Sequence, residues 1–214
     1  MRLISLLKYT GLFVFGYFLL LSIPYYSYLL EDYTYQALFT ILTGILLWLF
    51  IKVILILHDK YGDAPVFLGV WFFGGAIRFL WAIFVQTQPF SDFMEFHESA
   101  LLLSQGIAAA TKNIGYTLSL SAAYRLYPDV LSAKLLNAVA STVTILLIYL
   151  IGSKLGNQRT GLVASFLFAL LPSEVLMVSV LGTEVLATTL GVTAAFFILH
   201  STGVQPTFRT LRTE

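Results

Sequence analysis

The sequence predicts an all-α, polytopic transmembrane helix bundle of about six spans, and three observations predict it. Hydrophobic residues make up 58% of the chain and charged residues only 11%, where soluble domains carry about 25% charged residues. Apolar runs close to the ~20 residues that cross a bilayer recur along its length, and the mean hydropathy is +0.87. The period-two alternation of a membrane barrel is missing. Helices follow, because backbone surrounded by lipid must satisfy its own hydrogen bonds.

Taken in order, the clear runs are Leu12–Leu30, Ala37–Leu57, Val66–Val85 and Leu131–Ile151. Gly161–Leu181 is interrupted by Pro172, Ser173 and Glu174, and Val185–His200 is short for a full span. The first run follows Arg2 and Lys8 as a signal peptide would, but it is long for one and no small-residue cleavage site follows it. It reads as a retained anchor. Basic residues near short loops face the cytoplasm. Arg2 and Lys8 therefore set the amino terminus inside, and alternation returns Lys52, Lys60, Lys154, Arg159, Arg209 and Arg212 to the same side, eight of the twelve basic residues. The segment after Val85 is then extracytoplasmic, in the cell membrane. A net charge of +1 without a Lys/Arg cluster argues against nucleic acid. The absence of cysteine excludes disulfides and thiolate metal sites.

Residues 86–130 are too polar to span and too apolar for a free linker. Phe93, Phe96, Ala100, Leu103 and Ile107 recur at helical spacing, as do Tyr116, Leu120, Tyr124 and Tyr127 before Pro128. Both stripes suit helices lying in the interface, with tyrosines anchored at headgroup depth. The first begins in Gln88-Pro-Phe-Ser-Asp-Phe-Met-Glu-Phe-His-Glu, where Asp92, Glu95, His97 and Glu98 gather at a span exit. Ser91 or Asp92 can cap the helix, and Glu95 and Glu98 can form a solvated face. Arg78, in the outer half of its span, needs a partner to offset a cost of a few kcal/mol; Asp92, Glu174, Glu184, a lipid phosphate, or snorkelling to the headgroups would each serve. Lys134 admits the same explanations. Glu184 would complement the dipole of a first helical turn, and Glu174, deep in its run, should face a cavity. His97 has no second histidine near it, so no metal is assigned.

The order Arg78-Phe-Leu-Trp, Gln88-Pro-Phe-Ser-Asp-Phe and Ala100-Leu-Leu-Leu-Ser-Gln-Gly resembles the first luminal loop of the GT-C membrane glycosyltransferases, closest to bacterial members of family 39, relatives of dolichyl-phosphate-mannose protein mannosyltransferases. Ser132-Ala-Lys-Leu-Leu-Asn137, Tyr149-Leu-Ile-Gly-Ser-Lys-Leu-Gly156, Ala169-Leu-Leu-Pro172 and Leu181-Gly-Thr-Glu184 extend the likeness over residues 67–199. The resemblance implies transfer of a sugar from a polyprenyl-phosphate donor to an extracytoplasmic acceptor. It implies Asp92 as catalytic base, or as a metal ligand in members that use a divalent ion. Arg78, Glu95, Lys134, Glu174 and Glu184 are implied as substrate-binding residues.

The expected organisation is two amino-terminal spans (1–65), a GT-C-like region (66–200) holding the loop 86–130, and a polar cytoplasmic tail (201–214). Enzymes of this class have further helices, so the resemblance implies a truncated chain or a complementary subunit that supplies them. The alternative reading is a non-catalytic polytopic protein, an assembly subunit or transporter fragment. The expected partners are the lipid-linked sugar and membrane lipids. Because the chain has no cysteine, the topology is testable directly: Ser91→Cys and Ser119→Cys should react with a membrane-impermeant maleimide in intact cells. Labelling only after permeabilisation would invert the topology.

Overall fold

The computed structural model describes residues 33–202, all of whose regular elements are helical. The chain divides into two compact units, residues 1–53 and 54–214. Among the described residues the first unit holds the opening stretch of α1 (Tyr33–Tyr61), whose remainder belongs to the second. The run Leu12–Leu30, the basic residues beside it and the tail beyond residue 202 lie outside the described residues.

The second unit continues with α2 (Asp63–Phe84), α3 (Asp92–Ser104), α4 (Ile114–Leu126), α5 (Val130–Leu155), α6 (Gln158–Leu170), α7 (Pro172–Met177) and α8 (Glu184–Ser201). Four described helices are long and apolar enough to cross a membrane: the Ile41–Tyr61 part of α1, and α2, α5 and α8. The expected span Gly161–Leu181 is instead two helices. Pro172 has no N–H to continue the ladder and clashes with the preceding turn, so α6 stops at Leu170 and a six-residue α7 begins at the proline. At 13 residues α6 is about 20 Å long, short of the ~30 Å hydrocarbon core.

Helix ends follow local chemistry. Asp129 caps α5 by accepting from the Leu131 amide at 2.7 Å, and Asn157 caps α6 by accepting from Thr160 at 2.9 Å. Helix α5 is the centre of the unit and packs on α2, α4, α6 and α8. Its crossing with α6 brings Gly152 against Gly161 so closely that a Cβ on Gly152 would sit 2.8 Å from the Gly161 Cα. Small residues permit such an approach between helices that have no solvent-driven attraction in lipid. Hydroxyl and indole groups link the remaining helices: Trp71 Nε1 donates to the Thr142 carbonyl at 3.0 Å, and Thr144 and Thr189 hydroxyls lie 2.9 Å apart.

Arg78 is the largest fully buried side chain, with 0% exposure. Its Nε donates to Ser141 Oγ at 2.7 Å, Nη1 to the carbonyls of Gly74 and Ala169 at 3.0 and 2.9 Å, and Nη2 to the Phe168 carbonyl at 3.0 Å. The reason lies in the α6 break. Carbonyl 168 would ordinarily receive the amide of residue 172, which is proline, and the end of any helix leaves carbonyls without partners. The guanidinium, reaching from α2, serves two of them and ties α2, α5 and α6 at one point. The partner that the sequence required of Arg78 is therefore mostly backbone.

The α3–α4 hairpin has its own small core of Phe96, Ala100, Tyr116, Leu120 and Tyr124, seated on Ala133 of α5 and on Leu181. The two predicted stripes exist but face each other instead of lipid. Phe96 and Tyr116 meet edge to face at 5.6 Å, and Tyr116 and Tyr124 are buried, not displayed at headgroup depth. Packed on one another, the two 13-residue helices take both apolar stripes out of water. Ile107 and Tyr127, the last positions of each stripe, fall beyond the helix ends and are exposed.

Replacing Arg78 tests this account. Arg78→Met strands buried carbonyls and should lower stability in detergent by about 2–4 kcal/mol. Arg78→Lys, with one ammonium for several divergent acceptors, should fall between it and the wild type. Equal unfolding midpoints for the three proteins would exclude the capping role.

Candidate functional site

The start of α3 is shaped by Pro89 behind it and by Ser91, whose φ of +53° is costly for a residue with a Cβ. Neither Ser91 nor Asp92 caps the helix: Ser91 occupies the cap position without a side-chain hydrogen bond, and Asp92 is the first helical residue. The Asp92 carboxylate is 68% exposed and pairs with Lys112, Oδ1 to Nζ 3.3 Å. Glu95, one turn on, contacts the same ammonium at 3.0 Å from Oε2. The two carboxylates hold the Lys112 ammonium above its ordinary pKa, Glu95 more than Asp92.

Lys112 also lines an open groove of about 440 Å³ with Asn113, Gly115, Tyr116 and Ser119 on one side and Thr183, Leu186 and Leu190 on the other. One wall, from the start of α4, sets Asn113 and Ser119 beside the exposed Ile114; the other is the largely apolar face of α8. Asp92 stands beside the groove, joined to it through Lys112. Glu184 opens α8 and is exposed. Its carboxylate folds over Gly182, where a Cβ would collide with it and would approach the Phe93 ring to 3.4 Å. The starts of α3 and α8 therefore meet, and Glu184 makes the Tyr116 hydroxyl harder to ionise, after burial has raised it most.

The other predicted residues lie apart from this cluster. Arg78 is enclosed by Ser141 and carbonyls and has no contact with Asp92. Lys134 is 95% buried by its 5% exposure and donates to the Val85 carbonyl at 3.0 Å, closing the end of α2. Glu174, half-buried in the first turn of α7, acts on Arg78 through space. Of the six residues, Asp92 and Glu95 share a cation, Glu184 stands at the neighbouring helix start, and Arg78, Lys134 and Glu174 serve the bundle interior.

Two residues of this region do not stand out in the sequence reading. Lys112 was overlooked, although it is the one basic residue between Arg78 and Arg125, a signal that a count of charges by loop would have raised. Asn137 stands in the sequence only as part of Ser132-Ala-Lys-Leu-Leu-Asn137; it is buried and donates to the Val180 carbonyl at 2.9 Å, holding the chain between α7 and α8. As for a divalent ion, no three His, Cys, Asp or Glu side chains converge among the described residues. Asp92 and Glu95 offer two carboxylates with an ammonium already between them, a donor set that does not fit a metal.

His97 faces the hairpin core. Its Nδ1 lies 2.6 Å from the Tyr124 hydroxyl, and burial lowers its pKa more than Glu98 and Asp129 raise it. Comparisons with protein-family models, with curated proteins and with solved structures find no match to this chain.

The His97 shift carries a pH dependence. A histidine whose folded pKa lies below its unfolded value is protonated more readily in the unfolded chain, so stability falls as pH drops below about 6.5 and levels once the folded protein is protonated too. The melting temperature of wild type should therefore decline from pH 8 to pH 5 more than that of His97→Gln. Parallel curves would remove His97 as the source.

Proposed function

We propose that the chain is a membrane glycosyltransferase of the GT-C kind, resembling bacterial family 39, that moves a sugar from a polyprenyl-phosphate donor to an extracytoplasmic acceptor. The observation that supports this reading best is the pairing of an uncapped, accessible carboxylate with a groove of two characters. Asp92 does not cap α3, and the groove beside it joins a cationic mouth to an apolar wall. Such a groove suits a ligand that is ionic at one end and hydrocarbon along the rest.

In that reading Asp92 accepts the proton of the acceptor hydroxyl as its oxygen attacks the anomeric carbon. The leaving group is a lipid phosphate, a stable anion, so no general acid is required. Glu95 and Glu184 flank the reacting end. Arg78 and Lys134 support the scaffold in place of the substrate contacts expected of them, and the cation available to substrate is Lys112. With eight of the twelve basic residues on the cytoplasmic side, this end of the bundle lies on the outer face of the cell membrane.

A second reading, a non-catalytic polytopic subunit, is favoured by the same commitment of Arg78 and Lys134 to backbone and by the 68% exposure of Asp92. Purified protein incubated with radiolabelled polyprenyl-phosphate sugars separates the two. Under the enzyme reading the label moves to acceptor or water, and Asp92→Asn, at an exposed position that folding tolerates, reduces the rate about 100-fold or more. Equal turnover by the variant would remove the base. No transfer by wild type with any donor would leave the subunit reading.

A further inference from the structure

We propose that an apolar groove at the start of α2 holds one molecule of an anionic glycerophospholipid, with its acyl chain between α1, α2 and α6 and its phosphate on the ammonium of Lys60. Asp92 follows the other end of α2, so this site stands apart from any activity there.

The groove measures about 340 Å³, and its lining includes Leu57 and Tyr61 of α1, Pro65, Gly69 and Phe73 of α2, and Phe166 of α6, all in the second unit. Apart from the Tyr61 hydroxyl, every lining side chain is hydrocarbon. The groove exists because α2 packs on α5 and α6, while the part of α1 in this unit leaves the turn at Gly62 and scarcely packs on α2. Gly69 deepens it. Glycine weakens a helix, yet a Cβ at this position would meet nothing within 4 Å. The Ile41–Tyr61 part of α1 and the whole of α2 are long and apolar enough to cross a membrane, so the hydrocarbon that fills the space comes from lipid.

Charge at the mouth selects which lipid. Tyr61 ends its span and Lys60 precedes it, which sets both at headgroup depth. The Lys60 ammonium lies 4.9 Å from the Tyr61 ring centroid and makes no ion pair among the described residues. The carboxylates beside it are engaged elsewhere. Asp59 Oδ1 accepts from Arg159 Nη2 at 2.5 Å and lies 3.1 Å from His58 Nδ1, and His58 Nε2 contacts Asp63. These contacts tie α1 to α2 and α6, and so fix the end of the groove. A lipid phosphate there meets a cation with no carboxylate to leave, next to a slot for its chain. A zwitterionic headgroup brings its own ammonium and gains less from Lys60.

Titration of the delipidated full chain with phosphatidylglycerol and with phosphatidylcholine of the same acyl chains, read by native mass spectrometry, tests the site. Wild type should bind one phosphatidylglycerol about fivefold more tightly than phosphatidylcholine, the effect of one basic residue on an anionic lipid. Lys60→Gln, at an exposed position, should equalise the two lipids and leave phosphatidylcholine binding as it was. Gly69→Leu, which grows a side chain into open space, should weaken both. Equal affinities in wild type would show annular lipid only and overturn the proposal. A preference that survives Lys60→Gln, or binding that survives Gly69→Leu, would set the lipid elsewhere and overturn it too. Tighter binding of farnesyl phosphate than of phosphatidylglycerol would make the groove a polyprenyl site, and a lipid-free mass of two chains would make it a contact between copies; either result sinks the phospholipid assignment.

Discussion

The guanidinium of Arg78 holds together what Pro172 takes apart. A helix that ends inside a membrane leaves carbonyls where water cannot reach them, and the cost of an unsatisfied group there is several kcal/mol. By donating to Phe168 and Ala169 from a different helix, and to Ser141 from a third, Arg78 makes the early end of α6 tolerable. The rest follows from it. With α6 stopped, α7 turns aside, the segment through Val178 and Val180 is pinned by Asn137, and Trp81 and Thr87 reach Ser179. That segment delivers Gly182 and Glu184 to the start of α3. The geometry around Asp92 is thus set partly by an arginine that never touches it.

Much of this bundle could be read from residues alone, because apolar run length and proline position are local properties. The runs beginning at Ala37, Val66, Leu131 and Val185 all correspond to helices, and the interruption at Pro172 was visible as an interruption. Two things were not legible. Periodicity identifies an apolar face but not what covers it, so the stripes through Phe96 and Tyr116 read as helices lying in the interface although they cover each other. Charge in a span announces the need for a partner without naming it: Arg78 and Lys134 found carbonyls, which every sequence contains and no motif marks.

At the site, Asp92 stood out for its place at a span exit, and the structure adds that capping does not explain it. Lys112 did not stand out, since it sits in a polar link and is separated from Asp92 by 20 positions. Only the packing of α3 on α4 brings them together. A sequence reading sees residues that are unusual where they stand; it misses an ordinary surface lysine that becomes important through the company a hairpin gives it.

The bond between Arg78 and the carbonyl that Pro172 deprives of its usual donor also has a historical consequence. Either partner alone is a liability: the proline without the guanidinium leaves helix-end carbonyls short of donors, and the guanidinium beside an unbroken helix loses its two α6 acceptors. The two positions are energetically coupled in the sense that a double replacement costs less than the sum of the single ones. Divergent descendants of this sequence would then keep both or lose both, and positions 78 and 172 would drift as a pair.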